Sequence, residues 1–220
     1  MAKEIKNENV EAVVEAVSKT EKFFNENGKL LTIIAASIVA AAAILFCVNK
    51  FVYMPAQAEA QGQMAYAEAN FRAGDYELAL NGDGNVLGFA QIIDEYGAKA
   101  GKVAPFYAGV CELQLGNWDL AIKYLQAYKG KDAILKARAI ACMGDAYVGL
   151  EEYAKALGCF EKAAAVVDNM FAAGYLLKAG AVAEKLGQNE KALGFYKQIK
   201  DQYPTSIEGY EIDKYIGRLQ

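Results

Sequence analysis

The sequence predicts an all-α protein: an N-terminal transmembrane helix, then an α-solenoid of about four helical hairpins closed by a C-terminal capping helix. Three observations predict it. Residues 30–48, LLTIIAASIVAAAAILFCV, carry no charge. Small residues and aromatics then recur at a period of about 34 residues, the length of a two-helix repeat. The 220 residues also hold only 3 prolines amid many alanines, a composition that suits helices.

Residues 1–29 are polar with mixed charge, and Val10, Val13, Val14 and Val17 recur at helical spacing. That spacing predicts a short amphipathic helix in this tail. Its acidic residues weaken a membrane-surface role. The charge-free run of 19 residues is about 28 Å long as a helix, close to the hydrocarbon thickness of a bilayer. Lys29 and Lys50 bracket it, and Phe51 and Tyr53 stand where interfacial aromatics belong. The predicted span is 30–52. The run is longer than the apolar core of a secretory signal, and its leader is long and partly acidic, so it reads as a permanent anchor. Lys3, Lys6, Lys19, Lys22 and Lys29 precede it, whereas only Lys50 follows before Arg72. This asymmetry predicts a cytoplasmic N-terminus and a C-terminal domain outside the cytoplasm; in a cell with two membranes that makes a single-pass inner-membrane protein with a periplasmic domain.

Residues 53–220 read as the repeat domain, in units of about 57–98, 102–135, 137–171 and 173–204, with a cap at 205–219. The third unit is clearest. Gly144 allows close helix approach, Tyr147 wedges, Ala156 and Ala163 keep the second helix near, and Phe160 fills between. Ala79, Ala121, Ala156 and Ala192 open the second helices, in steps of 42, 35 and 36 residues. The long first step contains Asn81-Gly82-Asp83-Gly84-Asn85, which ends one helix; a second helical stretch is expected over 86–96. After Pro204, the pattern Ile212, Tyr215, Ile216 and Leu219 predicts an amphipathic cap, which the last repeat of a solenoid requires.

Chemistry is sparse. There is no His, which removes His-based catalysis and most transition-metal sites. The net charge of -4 argues against nucleic acid. No nucleotide, hydrolase or metalloprotease motif occurs. The Asn/Gly/Asp loop resembles the start of a calcium loop, but Val86 and Ile92 stand where an EF-hand needs Gly and Glu. Neither an enzyme, a cofactor nor a small-molecule substrate is expected. Asp145 and Glu184 read as solvated or groove-lining carboxylates. Cys111, Cys142 and Cys159 read as buried thiols, with a bridge between Cys111 and Cys142 as the alternative; Cys47 lies in the apolar run.

Gly144, Tyr147, Ala156, Phe160 and Ala163 resemble the tetratricopeptide repeat pattern, as do Gly180, Ala192, Tyr196 and Pro204. Unit two keeps Gly109 and Ala121 but has Glu112 and Leu125 at two signature positions; unit one keeps its turn and Ala79. In that family the first helices line a groove that binds peptides or protein segments. Projected onto this chain, the resemblance implies a groove of Met64, Phe71, Arg72, Phe106, Val110, Leu113, Gln114, Arg138, Asp145, Val148, Leu177, Glu184 and Lys185. The set lacks the basic cluster of carboxylate-clamp repeats, which argues against capture of an acidic C-terminus. The whole layout also resembles YfgM-like envelope proteins, and the segments ALNGDGNVLGF, CMGDAY and YPTSIEGYEIDKYIGRL resemble repeat proteins of Bacteroidetes. That resemblance implies an ancillary partner of the Sec translocon, of chaperones or of exported proteins. The alternative is a structural subunit of an envelope assembly, bound mainly through its span or tail.

Overall fold

A computed structural model describes residues 2–220, with side chains from Val17 onward; the face predicted from Val10, Val13 and Val14 lies outside the described side chains. The described backbone is helical and turns, with no strand. It divides into two units, residues 1–55 and 56–220.

In the first unit, α1 covers Ala2–Val48 and includes the charge-free run. Its apolar side chains are exposed there: Ile33 63%, Val39 68%, Leu45 70%. The stretch Val17–Ala73 holds a window long and apolar enough to cross a membrane, none of it buried within the protein. The two polar side chains in the run are satisfied locally. The Thr32 and Ser37 hydroxyls donate to the carbonyls of Lys29 and Ile33, each at 2.8 Å, so neither carries an unmet bond into an apolar solvent. A π-helical turn, Asn49–Tyr53, follows, and the Met54 N–H donates to Asn49 O. Pro55 comes next; its ring would crowd the carbonyl four residues back in a regular helix, and the widened turn lies where that crowding falls.

The second unit opens with α2 (Met54–Ala73), α3 (Tyr76–Asn81) and α4 (Phe89–Tyr96). The Asn/Gly segment is a tight corner. Asp83 Oδ1 accepts from the Asn85 and Val86 amides at 2.8 and 2.9 Å. Those two bonds hold the Asp83 carboxyl below its ordinary range. They also take Val86 out of any helix, and α4 starts at Phe89 rather than at residue 86. At Gly82, φ is +70°, and a Cβ would lie 2.2 Å from Val86 O. Only glycine fits that corner. It turns the chain so that Phe89 and Ile92 become fully buried beside Ala79 and Leu80.

The remaining helices pair in order: α5 (Ala104–Gln114) with α6 (Trp118–Ala127), α7 (Ala133–Gly149) with α8 (Tyr153–Val166), α9 (Phe171–Lys185) with α10 (Asn189–Gln202). Asp132 caps α7 by accepting from the Leu135 amide at 2.7 Å, which satisfies an orphan donor of the first turn. Ser206 likewise caps α11 (Ile207–Arg218), accepting from Gly209 N at 3.0 Å. One core runs through α7 to α11 around Phe160, Tyr196, Ile199 and Ile212. Glu112, the departure in unit two, is 5% exposed and accepts from Asn117 Nδ2 at 2.8 Å across the turn, so its buried carboxylate has a partner.

Candidate functional site

The first helices of the hairpins present a run of clefts. The first, about 310 Å³, involves Met64, Glu68 and Lys102. The second, about 200 Å³, lies among Phe71, Arg72, Phe106, Tyr107, Leu135 and Arg138, and shares Glu68 with the first. The third, about 430 Å³, extends from Val110, Leu113 and Gln114 to Asp145, Tyr175 and Lys178, and shares Val110 and Arg138 with the second. The fourth, about 380 Å³, lies between α9 and the start of α11 at Met170, Leu177, Ile207 and Glu208, and shares Phe171, Tyr175 and Lys178 with the third. The shared residues make the four a continuous trough along α2, α5, α7, α9 and the cap.

Ten of the residues singled out in the sequence line this trough: Met64, Phe71, Arg72, Phe106, Val110, Leu113, Gln114, Arg138, Asp145 and Leu177. Met64, Phe106, Val110 and Leu113 are its buried floor, while Gln114 and Arg138 are exposed at its rim. Val148, Glu184 and Lys185 lie outside these four clefts. Val148 is exposed in the last turn of α7. Lys185 stands 5.7 Å over the Tyr153 ring. Glu184 Oε1 accepts from Tyr196 Oη at 2.5 Å and from Arg218 Nη2 at 2.6 Å, so it ties α9 to α10 and to the cap.

Tyr107, Leu135, Phe171, Tyr175 and Lys178 line the trough without having been singled out. Helical spacing carried the signal: Phe171, Tyr175 and Lys178 follow at intervals of four and three, one stripe of α9. Phe171 is 52% exposed and Met170 60%, large apolar groups left facing water.

Charges along the trough are unevenly matched. Lys178 Nζ contacts both Asp145 oxygens at 2.7 Å and lies 5.6 Å over the Phe160 ring. Arg72 reaches Glu68 only at 3.8 Å, with its side chain 71% exposed. Arg138 has no ion pair among the described residues. Cys142 lies in the third cleft, and burial, reinforced by Asp145, pushes its thiol up to about 11. Burial pushes Cys111, with a smaller contribution from Glu112, up to about 12. All four cysteines are free, so Cys111 and Cys142 are not bridged.

Residues 143–207 match one model of the tetratricopeptide repeat, and residues 106–132 match another. Both segments are thus similar to tetratricopeptide repeats. The close approaches follow that pattern: a Cβ on Gly144 would lie 2.7 Å from Phe160, and one on Gly109 would lie 2.6 Å from Leu125. Two crystal structures of MamA share the fold. One superposes with a TM-score of 0.55 at 18% identity, over 73% of this chain and 85% of MamA. The other gives 0.53 at 18% identity, over 70% and 91%. No curated protein sequence matches the chain. Similarity to tetratricopeptide repeats supports protein–protein interaction as the general functional class.

Proposed function

We propose that this chain is a membrane-anchored scaffold whose repeat domain holds segments of other proteins in the trough. The observation that carries this reading is the trough itself: four clefts joined through shared residues, with an apolar floor of Phe106, Val110 and Leu113 and a polar rim of Gln114, Arg138 and Lys178. An apolar floor supplies affinity, and a few placed polar groups supply orientation. The lysine asymmetry supports a cytoplasmic N-terminus and a periplasmic repeat domain. A lipid anchor would hold the trough at the membrane, raising its effective concentration for partners there. The resemblance to YfgM-like envelope proteins supports partners among translocon components, chaperones or exported chains.

A photo-crosslinking residue placed at Gln114 or Phe171 in cells should capture protein partners, identified by mass spectrometry. The same residue at Lys197, exposed on α10, should not. Leu113→Asp should abolish capture at Gln114. Equal capture from Lys197 would overturn the trough as the binding surface. A reporter fused after Gln220 tests the orientation separately.

A second reading has its own observation. The span carries a run of small residues, Ala35, Ala36, Ser37 and Ala40 through Ala43, of the kind that lets membrane helices approach closely. Under that reading the span binds an assembly and the repeats set spacing, so removal of residues 1–52 would lose every partner.

A further inference from the structure

The second cleft differs from its neighbours in how its cations are used. In the third cleft Lys178 is held by both oxygens of Asp145, at 2.7 Å each. In the second, Arg72 has only a long contact of 3.8 Å to Glu68 with its side chain 71% exposed, which contributes little in water. Arg138, at the join with the third cleft, has neither an ion pair nor a hydrogen bond among the described residues. Two arginines thus stand against one glutamate, on a chain whose net charge is -4. The walls are aromatic: Phe71 and Tyr107 have ring centroids 5.0 Å apart, Phe106 and Tyr107 5.7 Å. The Tyr107 hydroxyl has no hydrogen-bond partner among the described residues. Burial raises its pKa and Glu68 adds to that, while Arg72 and Arg138 pull it down; all three side chains line the same cleft. About 200 Å³ admits a side chain rather than a stretch of backbone.

We propose that this cleft recognises an acidic segment of a partner protein, taking one apolar side chain among Phe71, Phe106 and Leu135 and the adjacent carboxylate between Arg72 and Arg138. The occupant follows from charge complementarity. An arginine fork matches a carboxylate, and such charge-assisted bonds are stronger than neutral ones. A basic apolar segment would meet uncompensated like charge, and a neutral one would leave Arg138 unmatched beneath it. The inference rests on the trough being the binding surface and adds the chemistry of what it prefers.

The test uses the full chain in detergent micelles and short fluorescent peptides with both ends blocked. Each peptide has a central Leu-Phe flanked by Glu, by Gln or by Lys, and a fourth has Gln flanks and a free C-terminal carboxylate. The Glu peptide should bind about tenfold more tightly than the Gln peptide, a difference of about 1.4 kcal/mol, and the Lys peptide least well. Arg138→Gln and Arg72→Gln should each erase most of that preference by bringing the affinities of the Glu and Gln peptides together; both side chains are exposed, so neither change disturbs the core. Equal affinity for Glu and Gln peptides, a preference that survives Arg138→Gln, or no binding of any peptide would overturn the proposal. Preference for the free C-terminal carboxylate over the internal Glu would overturn it too. Crosslinking from Gln114 that captures partners in wild type and in Arg138→Gln alike would leave the scaffold reading standing while this one fell.

Discussion

Gly180 on α9 faces the Tyr196 ring on α10 so closely that a Cβ on the glycine would lie 2.2 Å from Cε1 of the tyrosine. Tyr196 is fully buried, so its ring has nowhere to move. An alanine is a better helix former than glycine by about 1 kcal/mol. At this position the overlap outweighs that gain, because overpacking a tight core costs about 1–3 kcal/mol. Gly180→Ala should therefore lower stability by about 1–2 kcal/mol in urea unfolding of the repeat domain. Gly194, which meets nothing within 4 Å, is the control: Gly194→Ala should stabilise.

The turns between paired helices offer a gain in the other direction. Gly74, Gly116 and Gly187 hold φ of +82°, +81° and +73° just before the second helix of their hairpins. The third hairpin places Glu151 there, at φ +59°. A left-handed conformation costs a residue with a Cβ about 1–2 kcal/mol, partly offset because glycine also loses more chain entropy on folding. Glu151→Gly should raise stability by about 0.5 kcal/mol, visible as a small upward shift in Tm. Glu151→Val, β-branched, should lower it by more than that.

Those turns and close approaches were legible in the sequence because they are local and repeated. A glycine, an aromatic and an alanine at fixed offsets specify where two helices touch, and the period carries the pattern along. What was not legible depends on partners a whole repeat away. Asp145 looked like an isolated carboxylate until Lys178, 33 residues on, reached it from the next first helix. Glu184 was placed in the groove by analogy of position, yet Arg218, 34 residues on, reaches it from a cap that has no counterpart within a repeat. Tyr107 and Tyr175 escaped because half-buried aromatics on a first helix look like core. The start of α4 moved because the Asx turn at Asp83 takes two amides that a helix would need.

The Glu184 clamp makes a distinct prediction. One oxygen accepts from both Tyr196 and Arg218, but the two donors differ in exposure. Arg218 has a side chain 58% exposed, so water replaces its contact at little cost. The tyrosine hydroxyl belongs to a buried residue, and loss of its acceptor costs the desolvation of that group, about 1–3 kcal/mol. Glu184→Ala should destabilise by that much, whereas Arg218→Ala should cost about 0.5 kcal/mol or less and mainly speed amide exchange in α11. A double-mutant cycle between positions 184 and 218 should give a coupling under about 1 kcal/mol. A coupling near the full Glu184→Ala effect would mean that the cap, not the tyrosine, depends on the carboxylate.

Of the three thiols expected in the core only Cys111 is fully buried, Cys142 and Cys159 being half-buried, and alkaline stability follows from Cys111 and Cys142. Burial raises Cys111 from 9.0 to about 12 and Cys142 from 9.0 to about 11. A raised acid favours its neutral form in the folded state, so the unfolded chain loses that proton first as pH rises. The contribution is intact below about pH 9 and is lost progressively between pH 9 and the folded values, each group steepening the fall by up to about 1.4 kcal/mol per pH unit. Tm of the repeat domain should therefore drop between pH 8.5 and about 10.5. Cys111→Ala combined with Cys142→Ala should start from a lower Tm, because methylene-sized gaps remain, but should fall less over the same window. The same burial predicts slow alkylation of both thiols by iodoacetamide at about pH 8, since the thiolate is the reactive form, and rapid alkylation once urea unfolds the domain. Fast labelling of Cys111 in the folded protein would place that side chain outside the core, and with it the packing of α5 on α3 and α4.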